Sequence, residues 1–244
     1  MTAEVIDFGK AKAEKKGRPP RISVSLRNVS RDCRKEILRT HSYHAFWLGG
    51  VSKEQYVELL YAHLKLRQHL ESLFDSLGGT FHVSDILSNE HKAFDVDKYV
   101  TSRRHKSAQL QRDIEELESL LGVRCDTLPA KAQELIHYMD RVNKVYSAAL
   151  LGILYMLEET VIYAGPGIAK VLDEHLQLNG KATHYLRGSS QQKADLWEFR
   201  KSLDLITDFQ TQANIVIASS ITYRMYRDLL DPHPVTTGRS GLFH

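Results

Sequence analysis

The apolar positions of this chain recur at helical spacing over most of its length. The most apolar stretch, Ala148 to Lys170 (AALLGILYMLEETVIYAGPGIAK), opens with ten residues that carry no charge, Ala148 to Leu157. A run that apolar is unstable on a wet helix surface, so it predicts a central helix touched by neighbours on most sides. At ten residues it is too short to cross a bilayer. Glu158 and Glu159 follow, and then Gly165-Pro166-Gly167, which predicts a break or a bend because proline removes a backbone donor and glycine tolerates the resulting geometry. A bent central helix leaves room beside it, and that flank is the candidate ligand site.

The other elements follow the same period. A first helix is expected from Ser23 or Ser25, either of which can cap it, to the stop at Gly49-Gly50, with Leu26, Val29, Cys33, Ile37 and Leu38 on one face. Ser52 and Gln55 form a capping box for a second helix that ends at Gly78-Gly79 and aligns Tyr56, Leu59, Leu60, His63, Leu66 and Leu70. Residues 80–97 show no sustained period and predict only short helical turns. A charged helix is expected from Lys98 to Leu121 with Gly122 as its stop. A fourth starts near Pro129 and runs uninterrupted into the central stretch. Asn179-Gly180 marks a turn, ATHYLR a short segment, and one long helix is expected from Gln191 to Leu230, closed by Asp231-Pro232. No stretch alternates with period two for long enough to argue a sheet, and the fold class is all-α.

Composition narrows the class further. The 244 residues, 42% apolar and 26% charged, suit one globular domain. The net charge of +3 resides in residues 1–21, where Lys10, Lys12, Lys15, Lys16, Arg18 and Arg21 face only Glu4, Asp7 and Glu14, so the remainder is neutral. This argues against nucleic acid as a partner and reads as a disordered basic arm (1–21) before a domain at 22–231 and a flexible tail at 232–244. Cys33 and Cys125 form no disulfide framework and no paired metal-ligand spacing, and no secretion signal or membrane anchor is visible, which leads to the expectation of a cytoplasmic protein.

Several motifs, in order, resemble the haem (heme) oxygenase-like superfamily, in particular its bacterial biliverdin-forming members. They are Val51-Ser-Lys-Glu-Gln-Tyr56 with Glu71, the segment Arg104 to Leu117, Tyr155-Met-Leu157-Glu158, Ala182 to Arg187, and Trp197-X-Phe199-X-X-X-Leu203. The resemblance covers about Leu26 to Leu229 and implies a single-domain helical bundle that holds haem, a small planar ligand, between its first helix and its bent central helix. It also implies an electron donor protein if the chain is an oxygenase. Di-iron relatives in the superfamily carry a His/Asp cluster on the last helix; here that helix offers Asp228 and no histidine, so neither a di-iron nor a zinc site is expected.

The chain departs from the family where the chemistry lies. The family's iron-binding histidine on the first helix aligns without a gap to Arg34, whose guanidinium offers no lone pair to a metal. The family's glycines after Tyr-X-Leu-Glu align to Glu159, Tyr163 and Ala164, so the wall opposite is expected to be narrower or chemically different. Arg27 and Arg31 stand where the family places basic residues for the haem propionates, at a spacing that shares one helix face. His41 and His44 are candidate substitute metal ligands, with His63 on the next helix within range of joining them. Glu158 is expected to be a structural hydrogen-bonding residue, and Glu159 either a partly buried acid or a solvent-facing one. Cys33, Tyr155, Trp197 and Phe199 are expected in the core. Three functions follow: a remodelled pocket that binds haem, a bilin or another apolar planar ligand without the usual haem cleavage; an active oxygenase with a substitute ligand such as His41; or a helical interaction or sensing protein with no small ligand.

Overall fold

The computed structural model describes residues 21–85, 90–100 and 105–231. The expected basic arm, apart from Arg21, and the expected tail lie outside them. Among the described residues the helices are α1 (Ile22–Ile37), α2 (His41–Leu48), α3 (Lys53–Ser76), α4 (Ser107–Leu121), α5 (Ala130–Tyr146), α6 (Leu150–Leu176), α7 (His184–Arg187), α8 (Ser190–Leu203) and α9 (Phe209–Leu230). A hairpin of β1 (Thr80–Asp85) and β2 (Glu90–Asp95) follows α3.

The uncharged stretch is the axis of the fold. Every residue of α6 from Leu150 to Ile162 except Thr160 is buried. Its first half lies in a core shared with α1, the C-terminal half of α3, α5, α8 and α9, and its second half in another core shared with α2, the N-terminal half of α3, α4 and α7. A helix that serves two cores must be apolar all round. The unit from Ala130 to Leu176 is long and apolar enough to cross a membrane by length and composition, but 83% of its most apolar window is buried inside the protein, which accounts for that character. At Gly152 the packing is backbone on backbone: a methyl group added there would lie 2.0 Å from the Ile215 carbonyl oxygen of α9.

The expected breaks and the observed ones differ in an instructive way. Pro166 sits inside α6, which continues through it, so Gly165-Pro166-Gly167 does not end the helix. The interruption falls earlier, where Tyr146 leaves helical dihedrals at φ −146° and ψ 73° and Ser147–Ala149 forms a 3-10 turn between α5 and α6. The expected first helix is two: the chain breaks after Ile37, and Thr40 accepts from Tyr43 N at 3.3 Å to cap α2. The expected last helix is also two, with Asp208 capping α9 by accepting from Thr211 N at 2.8 Å. The charged helix begins at Ser107 rather than Lys98. Residues 80–97 hold an antiparallel hairpin, Thr80 opposite Asp95 and Asp85 opposite Glu90, where only helical turns were expected. Phe81 is its anchor, buried edge-on against Phe74. The capping box of Ser52 and Gln55, the αL glycine at Gly122 and the turn at Asn179-Gly180 stand as the sequence predicts.

A file of polar side chains crosses this apolar interior. From α9, Tyr226 Oη meets His63 of α3 at 2.8 Å, and His63 Nδ1 meets Tyr185 Oη of α7 at 3.3 Å. Arg67 Nε donates to that same hydroxyl at 3.3 Å, and Arg67 Nη1 reaches Glu158 of α6 at 2.7 Å. Burial, together with the charge of Arg67, pushes the His63 pKa down to about 3.

Two outcomes follow. Gly152→Ala drives a methyl into backbone, which no rotamer change relieves, and is expected to destabilise the protein by about 1–3 kcal/mol, read as a lower denaturant midpoint. His63 is neutral in the fold at pH values where the unfolded chain, with a pKa of about 6.5, is protonated. Its contribution is therefore complete above about pH 6.5 and erodes on acidification by up to about 1.4 kcal/mol per pH unit until about pH 3. Denaturation at a series of pH values between those limits should show a steeper acid loss for the wild type than for His63→Leu.

Candidate functional site

The site grows from the facing sides of α1 and α6. Ser30 and Arg34 are one turn apart on α1, and Glu159 of α6 lies between them and the rest of the bundle, 0% exposed. A carboxylate that deep is tolerable only if its charge is matched and its lone pairs are used. Arg34 Nη1 lies 3.1 Å from Glu159 Oε1, and Ser30 Oγ donates to the same oxygen at 3.1 Å. Tyr223 Oη of α9 donates to Oε2 at 2.5 Å, and burial holds the Tyr223 hydroxyl well above its ordinary pKa, so it stays protonated as a donor. Arg200 of α8 stands 3.9 Å from Oε1 and gives its own hydrogen bonds to Tyr155 Oη (3.1 Å) and Tyr163 Oη (3.2 Å). The ring of Tyr163 is flanked by the Arg34 and Arg200 guanidinium carbons at 5.0 and 5.7 Å from its centroid, cation–π distances.

Beside this cluster, the next face of α6 borders an apolar crevice of about 70 Å³. Ile37, Phe46, Ala164, Ile168 and Leu186 line it, and Arg34, Tyr43, His63, Thr160 and Tyr226 are its polar neighbours. Ala164 is thus a crevice residue. Glu159 and Tyr163, one helical step away, are turned into the ion cluster and do not line it. Gly165 and Gly167 serve packing: an added methyl would stand 2.3 Å from the Leu186 carbonyl oxygen of α7 or 2.2 Å from the Trp47 ring of α2.

The other sequence candidates scatter. Arg27 and Arg31 are exposed, and Arg31 meets its neighbour Asp32 at 3.3 Å. His41 and His44 are exposed on α2 while His63 is buried on α3, so the three do not assemble as a metal site. Glu158 is a structural partner, of Arg67. Trp197 is 57% exposed with the Lys201 ammonium 3.2 Å over its ring, so it is not a core residue, whereas Tyr155 and Phe199 are. Sequence reasoning missed Ser30, Arg200, Tyr223 and Tyr226, which read as ordinary residues of amphipathic helices and are drawn in from α1, α8 and α9.

Among the described residues, one group of three side chains has the spacing of metal ligands: Asp113, Glu116 and His184. Its carboxylates are already committed to α7. Asp113 accepts from the backbone N–H of His184 (3.1 Å) and Tyr185 (2.7 Å), and Glu116 from Ala182 N (2.7 Å) and the His184 ring (3.2 Å). Of the side chains at the crevice, Arg34 has no lone pair for a metal, and His63, the histidine that borders it, has both ring nitrogens engaged.

The family described as heme oxygenase matches residues 21–232. No curated protein matches the chain. Solved structures do. Heme oxygenase-1 from the cyanobacterium Synechocystis sp. PCC6803 in complex with heme is 13% identical with a TM-score of 0.70, over 86% of this chain and 90% of that one. Heme oxygenase from Leptospira interrogans is 14% identical with a TM-score of 0.70, over 87% and 99%. Heme oxygenase-2 from Synechocystis sp. PCC 6803 in complex with heme and NO is 15% identical with a TM-score of 0.71, over 86% and 84%. At these identities the structures share the fold with this chain; the family match, which spans most of its length, establishes that the chain belongs to the haem oxygenase family.

Proposed function

We propose that this protein binds haem or another flat, apolar tetrapyrrole between α1 and α6 and holds it without the family's ring cleavage. The observation that carries the reading is the Arg34–Glu159 pair. The residue on α1 that aligns with the iron ligand is a cation committed to a buried carboxylate, and that carboxylate occupies a position where the family keeps glycine. A guanidinium binds acidic groups and aromatic faces and has no lone pair for iron. Arg34 borders the crevice, so it is placed to meet a ligand carboxylate or ring face there. Relatives of the same fold are described as complexes with heme, which supports a tetrapyrrole as the ligand class.

The crevice holds about 70 Å³, against roughly 30 Å³ per water in the liquid. It accepts the edge of a tetrapyrrole and not a whole macrocycle, so full entry requires α1 and α6 to part. The Arg34–Glu159 contact is the polar tie that opposes this. The same small volume favours a second reading, in which the interface is permanently closed and the protein works through its surface as an interaction or sensing module. An active oxygenase would need both a substitute ligand and an electron donor protein.

Titration of the purified chain with haemin separates these. The expected result is saturable binding with a broad, modestly shifted Soret band, and no bilin absorption after reductant and oxygen are added. A sharp imidazole-type band followed by bilin formation would reject the proposal in favour of the oxygenase, and its loss in His41→Ala would name the ligand. Absence of binding leaves the interaction module. The double variant Arg34→His/Glu159→Gly restores the family's residues at both positions together and is expected to convert the broad band into a sharp one.

A further inference from the structure

The polar file from Arg67 to Tyr226 has a direction, and it ends in the crevice. Arg67 only donates, so its Nε–H points at the Tyr185 oxygen. The Tyr185 hydroxyl proton then has one acceptor among its bonded partners, His63 Nδ1; either tautomer of His63 leaves one tyrosine proton unmatched, and the favoured one places it at Tyr226, beside the crevice where a ligand can accept it, rather than at Tyr185 in the closed core. His63 is neutral at ordinary pH, with its pKa held near about 3 by burial and by Arg67. A neutral imidazole that accepts at Nδ1 carries its proton at Nε2, and it therefore donates to the Tyr226 oxygen, 2.8 Å away. That leaves the Tyr226 O–H without an acceptor among its protein partners. Tyr226 is 5% exposed, its hydroxyl proton is held tightly because burial raises its pKa, and its side chain borders the crevice.

We infer that Tyr226 is a specificity-determining donor for a carbonyl oxygen on the buried edge of the ligand, and that the crevice therefore prefers an open-chain, lactam-ended tetrapyrrole to closed haem. This rests on the tetrapyrrole reading above and sharpens it. The chemistry separates the two ligands. The edge of haem remote from its carboxylates carries only vinyl and methyl groups, which would leave the hydroxyl unmatched in an apolar wall. A bilin ends in lactam rings, each with a C=O on an otherwise apolar, flat body. A buried site with a committed donor discriminates against a ligand lacking the acceptor, because the donor is then desolvated with nothing in return. The size agrees: a crevice of about 70 Å³ takes a single terminal ring of a jointed molecule more readily than the edge of a rigid macrocycle.

The test titrates biliverdin and haemin separately into the full chain and into Tyr226→Phe, with thermal melts to show that both are folded. Biliverdin is expected to bind the wild type more tightly than haemin does. Tyr226→Phe is expected to weaken biliverdin roughly tenfold while haemin changes by less than about twofold, the former being the loss of one buried hydrogen bond. Equal weakening of both ligands, or no change for biliverdin, overturns the inference. Haemin binding without tighter biliverdin binding overturns it too but leaves the tetrapyrrole reading intact, and binding of neither overturns both. Should the variant not fold, the wild-type complex decides alone: an infrared lactam C=O band shifted to lower frequency relative to free biliverdin supports the bond, and an unshifted band overturns it.

Discussion

The buried charge of Glu159 is the constraint on which the rest of this structure hangs. A carboxylate removed from water costs several kcal/mol unless counter-charge and donors surround it, and here they come from three other helices. Ser30 and Arg34 arrive from α1, Arg200 from α8 and Tyr223 from α9. The result fixes how α1 lies against α6, and so fixes the crevice next to it. The same face of α6 in a chain with glycine at that position would make no such demand and would leave the two helices free to hold something between them. The carboxylate at this one position thus gives the α1–α6 interface a polar bond of its own.

Carboxylates reaching across the bundle are a general device in this fold. Three helices that lack a cap from their own preceding residue receive one from elsewhere. Asp204 at the end of α8 accepts from Ser23 N (3.0 Å) and Ser23 Oγ (2.8 Å) at the start of α1. Glu71 of α3 accepts from Lys106 N (2.6 Å), Ser107 N (3.2 Å) and the Ser107 hydroxyl at the start of α4. Asp113 of α4 serves α7, although its burial raises its pKa. Free N–H groups and the positive end of the helix dipole make each junction favourable to an anion. This also explains why the three-residue group at Asp113 serves structure: the Asp113 oxygens accept from the first N–H groups of α7, and Glu116 accepts from Ala182 N just before it.

The family resemblance was readable because its motifs occupy positions that packing and capping require. Tyr155 and Leu157 are core residues, Glu158 holds Arg67, Glu71 holds the start of α4, and Phe199 and Leu203 seal α8. Local physics also showed through where it is truly local, as in the Ser52/Gln55 capping box. It failed where a boundary depended on a neighbour. The breaks at Ile37 and Leu203 have no glycine or proline to announce them, and the apolar period continues across both. Pro166 misled in the other direction, since its helix is held from both sides by α2 and α7.

The sequence by itself determined that this chain is helical, that its most apolar run is the axis, and that the segment from Ile22 to Ile37 contains no histidine, because periodicity, hydrophobicity and residue identity are properties of the chain. Only the tertiary structure decided that Glu159 is a buried ion partner of Arg34, that His41 and His44 do not line the crevice, and that Tyr226 borders it with its hydroxyl on His63. A side chain's protonation, partners and access are set by residues distant in sequence that the fold brings within a few ångströms, and helical spacing alone carries no record of which ones those are.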